Sequence, residues 1–250
     1  LAKRKAKWAG DPLIQAKERL FATYVPNNDG YQRCVNIAES ELQTKYGVAP
    51  GPRYNYTLDV SRFPDEAARG VVQFSAAGAT TVTLACDPIS IIFLTQSANT
   101  QNWRPEWYII GVALQDTDNL ARLYDQEQVD GHLFGMSQLG ATPKVVGPKS
   151  EPGRVYKKIT GKDLQEGNAG DYFGLVHTFN LLQAAGPTLT PANIARGAFA
   201  MAPSGGPEYP AGYWSFADGP DGAPGGRDHT EIDDTREVYW LGSATSPDGM

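Results

Sequence analysis

The apolar positions in the first half of the chain follow two spacings, those of short strands and those of amphipathic helices. Residues 80–86 are an apolar, β-branched run without glycine or proline, which predicts a buried strand. Helical spacing precedes this run over residues 64–77 and follows it over residues 89–102. Further strands are predicted at residues 20–25 and 107–110. This alternation predicts an α/β fold, a doubly wound and mostly parallel sheet covered by helices on both faces.

Two more elements extend this predicted unit. Residues 31–46 have helical spacing and are followed by Gly47, the residue type that most often ends a helix. The apolar stripe of this helix consists of Cys34, Ile37, Ala38, Leu42 and Tyr46. Residues 54–59 alternate and are polar enough to predict an edge strand, and residues 133–136 predict a short strand. Residues 18–136 are therefore expected to form one lobe, with its strands in the order 2-1-3-4.

The second half of the chain has a different pattern. A strong helix is predicted over residues 171–185, a short one over 190–200 and a weak one over 155–162. Residues 201–227 are rich in glycine and proline and predict a loop, and 236–241 predict a final strand. These helices have apolar faces but almost no strands to cover. Either they pack on the first lobe, or their sheet belongs to sequence outside this chain.

Composition and charge exclude several classes of protein. The net charge of −6 argues against a nucleic-acid partner, and the basic cluster at residues 3–7 is typical of a solvated terminus. Residues 1–10 lack the apolar core of a signal peptide, and no apolar stretch approaches the ~20 residues of a membrane span. The loop at residues 26–30 has a single glycine, so a dinucleotide cofactor is not expected, and no other cofactor is indicated.

Candidate catalytic chemistry is sparse. The three histidines, His132, His177 and His229, are far apart in the sequence. His177 lies on the apolar face of its predicted helix, which indicates a packed core histidine. Residues Asp228 to Asp234 are the one dense group of potential metal ligands. They leave open a small-molecule hydrolase on an α/β scaffold with a metal there, although a solvated turn explains the same residues.

The order of elements resembles that of type I periplasmic solute-binding proteins of ABC importers, in particular the branched-chain amino-acid group. Residues 19–31 resemble the strand and loop that open the C-terminal lobe of such proteins, and residues 63–111 resemble the elements that continue it. Residues 171–191 resemble the late helices that pack on the N-terminal lobe. Residues 105–107, 116–118 and 122–126 are similar to a subgroup of large solute-binding lipoproteins of actinobacterial type.

This resemblance implies that the chain is the C-terminal portion of a longer protein. Residues 18–136 would be the C-terminal-lobe-like domain, and residues 1–17 and 137–250 would be hinge segments and part of the N-terminal-lobe-like domain. The missing N-terminal lobe would supply the absent sheet.

The activity implied is binding, not catalysis. A small extracellular solute, amino-acid-like or another small organic molecule, would be bound in a cleft between the lobes and delivered to a membrane ABC permease. The full-length protein would be periplasmic or extracellular and anchored as a lipoprotein. If no upstream lobe exists, a lobe that only mediates protein contacts is the remaining possibility.

In the resembled family the loops after the first, third and fourth strands contact the ligand. The matching residues here are Asn28, Asp29 and Tyr31, then Asp87, Pro88 and Ile89, then Ala113, Gln115 and Asp116. Helix N-termini in the first two loops could bind a carboxylate. Asp87 or Asp116 could pair with an ammonium group, or could simply cap a helix. Tyr31 could cover an apolar group of the ligand, or could pack its own helix.

The two cysteines, Cys34 and Cys86, are predicted near the same edge of the sheet. Export of the protein would permit a disulfide between them. Two buried thiols are the alternative.

Overall fold

The structure is a computed structural model that describes residues 3–137, 147–164, 169–205, 213–214, 216 and 235–245. The chain divides into two compact units. The first contains the described residues 3–137 and 237–243, and the second contains the other described residues. Residues 3–17 thus lie in the same unit as the residues that follow them.

The first unit alternates strands and helices as the apolar spacing predicts. Its strands up to residue 137 are β1 (Phe21–Pro26), β2 (Arg53–Tyr56), β3 (Thr81–Leu84), β4 (Glu106–Ile109) and β5 (Leu133–Ser137). Its helices are α1 (Pro12–Gln15), α2 (Asp29–Tyr46), α3 (Phe63–Ala76), α4 (Pro88–Thr100), α5 (Asp118–Ala121) and α6 (Gln126–Val129). Short 3-10 turns lie at Val60–Arg62 and Val112–Leu114. The predicted elements are confirmed to within a few residues at their ends.

The second unit is mainly helical in its described part. It contains α7 (Glu151–Thr160), α8 (Ala169–Ala185) and α9 (Pro191–Ala200), preceded by a 3-10 turn at Gly147–Lys149. A two-stranded antiparallel ribbon pairs β6 (Ser204–Gly205) with β7 (Tyr213–Trp214). His177 is buried on α8, as its place in the apolar pattern predicts.

A six-stranded sheet, with neighbours in the order β2-β1-β3-β4-β5-β8, organises the first unit. Strand β8 (Arg236–Tyr239) is the last of these. The four pairs among β1 to β5 are all parallel. The order 2-1-3-4 and the edge position of β2 are therefore confirmed. Because parallel strands of one sheet end at the same edge, the loops after β1, β3 and β4 are brought to one side of the unit.

The main core lies on the sheet face that carries Val82, Leu84 and Trp107. Helices α3 and α4 cover this face, because their apolar residues recur at helical spacing. The rings of Tyr24 and Tyr56 stack on the same face with their centroids 4.4 Å apart. Full burial of Trp107 and its neighbours removes most of their apolar area from water, which is the main driving force for this packing.

A buried ion pair lies at the amino ends of the strands. Arg19, just before β1, donates from Nε to a Glu106 carboxylate oxygen over 2.7 Å and from Nη2 to the other oxygen over 2.8 Å. The hydroxyl of Thr81 and the backbone N–H of Trp8 also donate to Glu106, at 2.7 and 3.0 Å. The Arg19 guanidinium lies 5.3 Å from the centroid of a Trp8 ring. This network joins the segment before β1 to the first residues of β3 and β4.

Helix α2 differs from the expectation of an inward apolar stripe. Val35 is its one buried residue, whereas Ile37 and Tyr46 are 58% and 66% exposed. Local interactions explain why the helix forms nonetheless: Asn28 caps its first turn and Gly47, at φ 63°, ends it. The stripe is therefore helical, as predicted, but it does not face the core.

The two cysteines are free thiols, so neither alternative for them is correct. Cys34 lies on the exposed surface of α2, and Cys86 is fully buried at the end of β3. Burial raises the pKa of the Cys86 thiol well above its ordinary value, which keeps it protonated. The disulfide was predicted from the position of both residues near one edge of the sheet. That position does not fix the direction of the Cys34 side chain, which lies on the exposed surface of α2.

Candidate functional site

The loop after β1 begins the candidate site. Asn28 is the N-cap of α2, and its side chain accepts a hydrogen bond from the backbone N–H of Gly30 at 3.0 Å. Asp29 is the exposed first residue of the helix. Tyr31 is half-buried and packs against the small cluster that contains Val25. Burial raises the pKa of the Tyr31 phenol, and the charge of Asp87 raises it further.

Asp87 in the loop after β3 uses both of its carboxylate oxygens. One accepts from the backbone N–H groups of Ile89 and Ser90, each at 2.9 Å, and caps α4. The other accepts from the hydroxyl of Tyr56 at 2.5 Å. Burial raises the pKa of the Tyr56 phenol, the hydrogen bond to Asp87 raises it further, and the phenol stays protonated. Asp87 therefore caps its helix, as the spacing of Asp87 and Pro88 predicts, and also joins the ends of β2 and β3.

The turn after β4 has an unusual backbone. Gly111, Ala113 and Leu114 all have positive φ, at 73°, 53° and 67°. Glycine adopts this region without cost, whereas each other residue loses roughly 1–2 kcal/mol there. Two consecutive non-glycine residues in this region form a strained turn, and strain of this kind is concentrated at ligand clamps and switches. Since neither position is glycine, asparagine or aspartate, the sequence carries no signal for it.

Gln115 fixes the turn after β4 to the end of β3. Its side chain is fully buried, and Nε2 donates to the backbone carbonyls of Leu84 at 2.9 Å and Cys86 at 2.6 Å. The hydroxyl of Tyr124 donates to the Gln115 carbonyl at 3.4 Å. The structure thus places Gln115 where it can hold the loops and not where a ligand can touch its side chain. Asp116, the next residue, is half-buried.

The other predicted residues lie at the same edge with differing exposure. Pro88 is half-buried in the first turn of α4, and Ile89 beside it is 38% exposed. Ala113 is exposed on the strained turn. Sequence reasoning missed Leu114, which is 52% exposed next to Ala113, and Tyr56, which is fully buried beneath Asp87.

Replacing Asp87 separates its capping role from its charge. Asp87→Ala is expected to lower the free energy of unfolding by about 2 kcal/mol, because α4 loses its cap and the buried hydroxyl of Tyr56 loses its acceptor. Asp87→Asn keeps a capping oxygen and should lose less than half as much. Urea unfolding of both variants measures the difference. Equal losses would show that the charge, and not the cap, matters.

Among the residues that the structure describes, no three side chains of His, Cys, Asp or Glu are grouped so that they could hold a metal ion. The predicted metal-ligand group at Asp228–Asp234 lies outside the described residues. None of the helices in the described part is both long and apolar enough to cross a membrane.

Comparison with known proteins rests on structure. No family model matches the sequence, and no curated protein matches it. Among solved structures, the chain is similar to an extracellular ligand-binding receptor from Verminephrobacter eiseniae, with 12% identity and a TM-score of 0.57 over 88% of this chain and 58% of that one. A fatty acid ABC transporter substrate-binding protein from Thermomonospora curvata gives 14% identity and a TM-score of 0.58 over 88% and 56%. The fold is that of the type I periplasmic binding proteins.

A third solved structure shows the same fold. It is described as a possible leucine/isoleucine/valine-binding protein from Rhodopirellula baltica, with 12% identity and a TM-score of 0.54 over 88% of this chain and 56% of that one. Identities this low establish the fold alone. The chain spans little more than half the length of these three proteins. The expected type I periplasmic-binding-protein fold is therefore confirmed.

Proposed function

We propose that the chain is part of an extracellular solute-binding protein that delivers a small organic molecule to a membrane ABC permease. The observation that supports this proposal best is the meeting of three loops at the carboxyl edge of a parallel sheet. Gln115 locks the loops after β3 and β4 together, and Asp87 joins the loop after β3 to the end of β2. A preformed edge of this kind binds ligands with little loss of conformational entropy.

The ligand class that we propose is amino-acid-like or another small organic acid with an aliphatic part. The fatty acid and leucine/isoleucine/valine named for two similar structures share a carboxylate and an aliphatic chain. The N-terminus of α2 suits a carboxylate, whereas the first N–H groups of α4 already donate to Asp87. Ile89 and Leu114 are exposed aliphatic side chains at the same edge. No covalent step is required, since affinity would come from closure of two lobes around the ligand.

We further propose that a second lobe, encoded upstream of this chain, completes the cleft. In this proposal residues 18–136 are the C-terminal-lobe-like domain, and residues 1–17 and 137–250 are hinge segments and part of the N-terminal-lobe-like domain. Helix α8 supports it, because Leu175 and Phe179 are 61% and 66% exposed on a helix that is apolar on all sides. Helices of that composition are normally covered on all sides. The full-length protein would be exported and held at the membrane by a lipid anchor.

The hydrolase alternative has no support among the described residues. Its metal ligands, Asp228–Asp234, lie outside them, and no other group of three potential metal ligands occurs among them.

A ligand screen tests the proposed function. We expect thermal unfolding of the full-length protein to shift upward by about 3–5 °C at a ligand concentration tenfold above Kd, because binding to the folded state adds about 1.4 kcal/mol. The panel pairs L-leucine with glycine and octanoate with acetate, and adds benzamide. Calorimetry confirms each shift. Absence of binding by every compound in the panel would contradict the proposal, and turnover of p-nitrophenyl acetate abolished by chelator would favour the hydrolase.

A further inference from the structure

The turn of residues 111–115 combines three properties that a simple connection does not need together. Ala113 and Leu114 are strained, with φ of 53° and 67°. Gln115, fully buried, holds the turn by two hydrogen bonds to the end of β3. Leu114 lies on this turn, and it is 52% exposed to solvent.

The strain is not explained by packing of the turn itself. Glycine or asparagine at residues 113 and 114 would adopt the same backbone without strain, as Gly111 does two residues earlier at φ 73°. Leu114 is not among the residues of the two hydrophobic clusters, so burial of its side chain in the core does not offset the strain. Strained backbone conformations of this kind are concentrated at active sites, ligand clamps and switch regions.

A second aliphatic side chain lies on the adjoining loop. Ile89, in the first turn of α4, is 38% exposed. Its loop is the one that Gln115 joins to the strained turn through the carbonyl of Cys86. Leu114 and Ile89 therefore belong to two loops whose relative position is fixed by a buried amide, at the edge where a parallel sheet binds its ligands.

We propose that Leu114 is the specificity-determining contact for the aliphatic part of the ligand, with Ile89 on the adjoining loop as a second contact, and that Gln115 is the positioning residue that holds the turn of Leu114 in place. This inference rests on the proposed function and deepens it, since it names the side chain that recognises the aliphatic part of the ligand and the residue that positions it. The aliphatic chain could be an amino-acid side chain or a fatty-acid tail, and the test separates these.

Calorimetry with matched ligands tests the contact. In the full-length protein, we expect L-leucine to bind better than glycine, or octanoate better than acetate, and Leu114→Ala to weaken the preferred aliphatic ligand about tenfold or more. Leu13→Ala is the matched control, because Leu13 is 75% exposed on α1, before β1, and should leave affinity unchanged. An unchanged affinity in Leu114→Ala would overturn the proposal, as would a wild-type protein that binds only glycine, acetate or benzamide.

The strain has a test that requires no ligand. Ala113→Gly is expected to raise the melting temperature by roughly 1–4 °C, because glycine adopts φ 53° freely. The control Ala38→Gly lies on the exposed middle of α2 and should lower it, as glycine does inside a helix. A decrease in both variants would show that the turn is not strained and would overturn the inference.

The outcomes also separate this inference from the proposed function. If an aliphatic ligand binds and Leu114→Ala does not weaken its binding, the proposed solute-binding function stands and the role of Leu114 is overturned. Absence of binding by the whole panel contradicts both. Gln115→Glu, which keeps the shape of the side chain but removes its donor N–H groups, should weaken the aliphatic ligand more than its short partner if Gln115 positions Leu114. An equal effect on both ligands would count against that role.

Discussion

Glu106→Gln is expected to lower the free energy of unfolding by about 3–5 kcal/mol, the usual cost of breaking a buried ion pair on one side. The side chains of Arg19 and Glu106 are 1% and 0% exposed, so water cannot replace the lost charge. The amide also removes one acceptor oxygen from a group that receives Arg19, Thr81 and Trp8. Arg19 would then lose the carboxylate charge to which its guanidinium donates. Urea unfolding followed by tryptophan fluorescence measures the loss.

Two controls show whether the loss is due to the unpaired charge. The double variant Arg19→Met with Glu106→Leu removes both charges and should be more stable than Glu106→Gln, because no buried ion is left alone. Glu41→Gln breaks the exposed pair of Glu41 and Lys45 on α2 and should cost less than about 0.5 kcal/mol. A loss below about 1 kcal/mol for Glu106→Gln would show that the network contributes little to stability.

Gly135→Ala is expected to lower the free energy of unfolding by about 3 kcal/mol or more, a large value for the addition of one methyl group. Gly135 lies in β5 opposite Ile109 of β4. A Cβ atom there would lie 2.0 Å from the backbone oxygen of Ile109. A backbone carbonyl in the middle of a parallel sheet cannot move aside as a flexible side chain can, so β4 and β5 must separate.

Gly174→Ala is the matched control for this substitution. Gly174 lies in α8, and a Cβ atom there would have nothing within 4 Å. Because alanine favours a helix over glycine by about 1 kcal/mol, Gly174→Ala should leave the protein equally stable or slightly more stable. Thermal unfolding compares the two variants. Similar stability in both would show that β4 and β5 are not as closely apposed as the structure has them.

The elements and their order could be predicted because their signals are local. The β-branched run around Val82 and the helical spacing on each side of it need only the residues within one or two turns. Asp87 and Thr190 cap the helices that begin at Pro88 and Pro191, as their sequences indicate. The sheet order followed from the alternation of strand and helix, because parallel crossovers permit few arrangements.

The details of the candidate site could not be predicted in the same way. Residues 113 and 114 carry no glycine, so the strained turn has no sequence signal. Gln115 is a polar residue in a predicted loop, yet its side chain is fully buried because two backbone carbonyls at the end of β3 accept its N–H groups. Cys34 faces outward on α2, whose apolar stripe is exposed. In each case the outcome depends on contacts with residues distant in the sequence, or on the lack of a contact that the local pattern leads one to expect.

By itself, the sequence determined the class of fold, the strands of the first unit and the edge of the sheet at which the proposed ligand contacts lie. It could do so because periodicity, caps and turn residues act between neighbours along the chain. Only the tertiary structure decided which side chains at that edge are accessible. Leu114 is exposed, Gln115 is buried and both oxygens of Asp87 are engaged, since each of these depends on contacts with strands far away in the sequence.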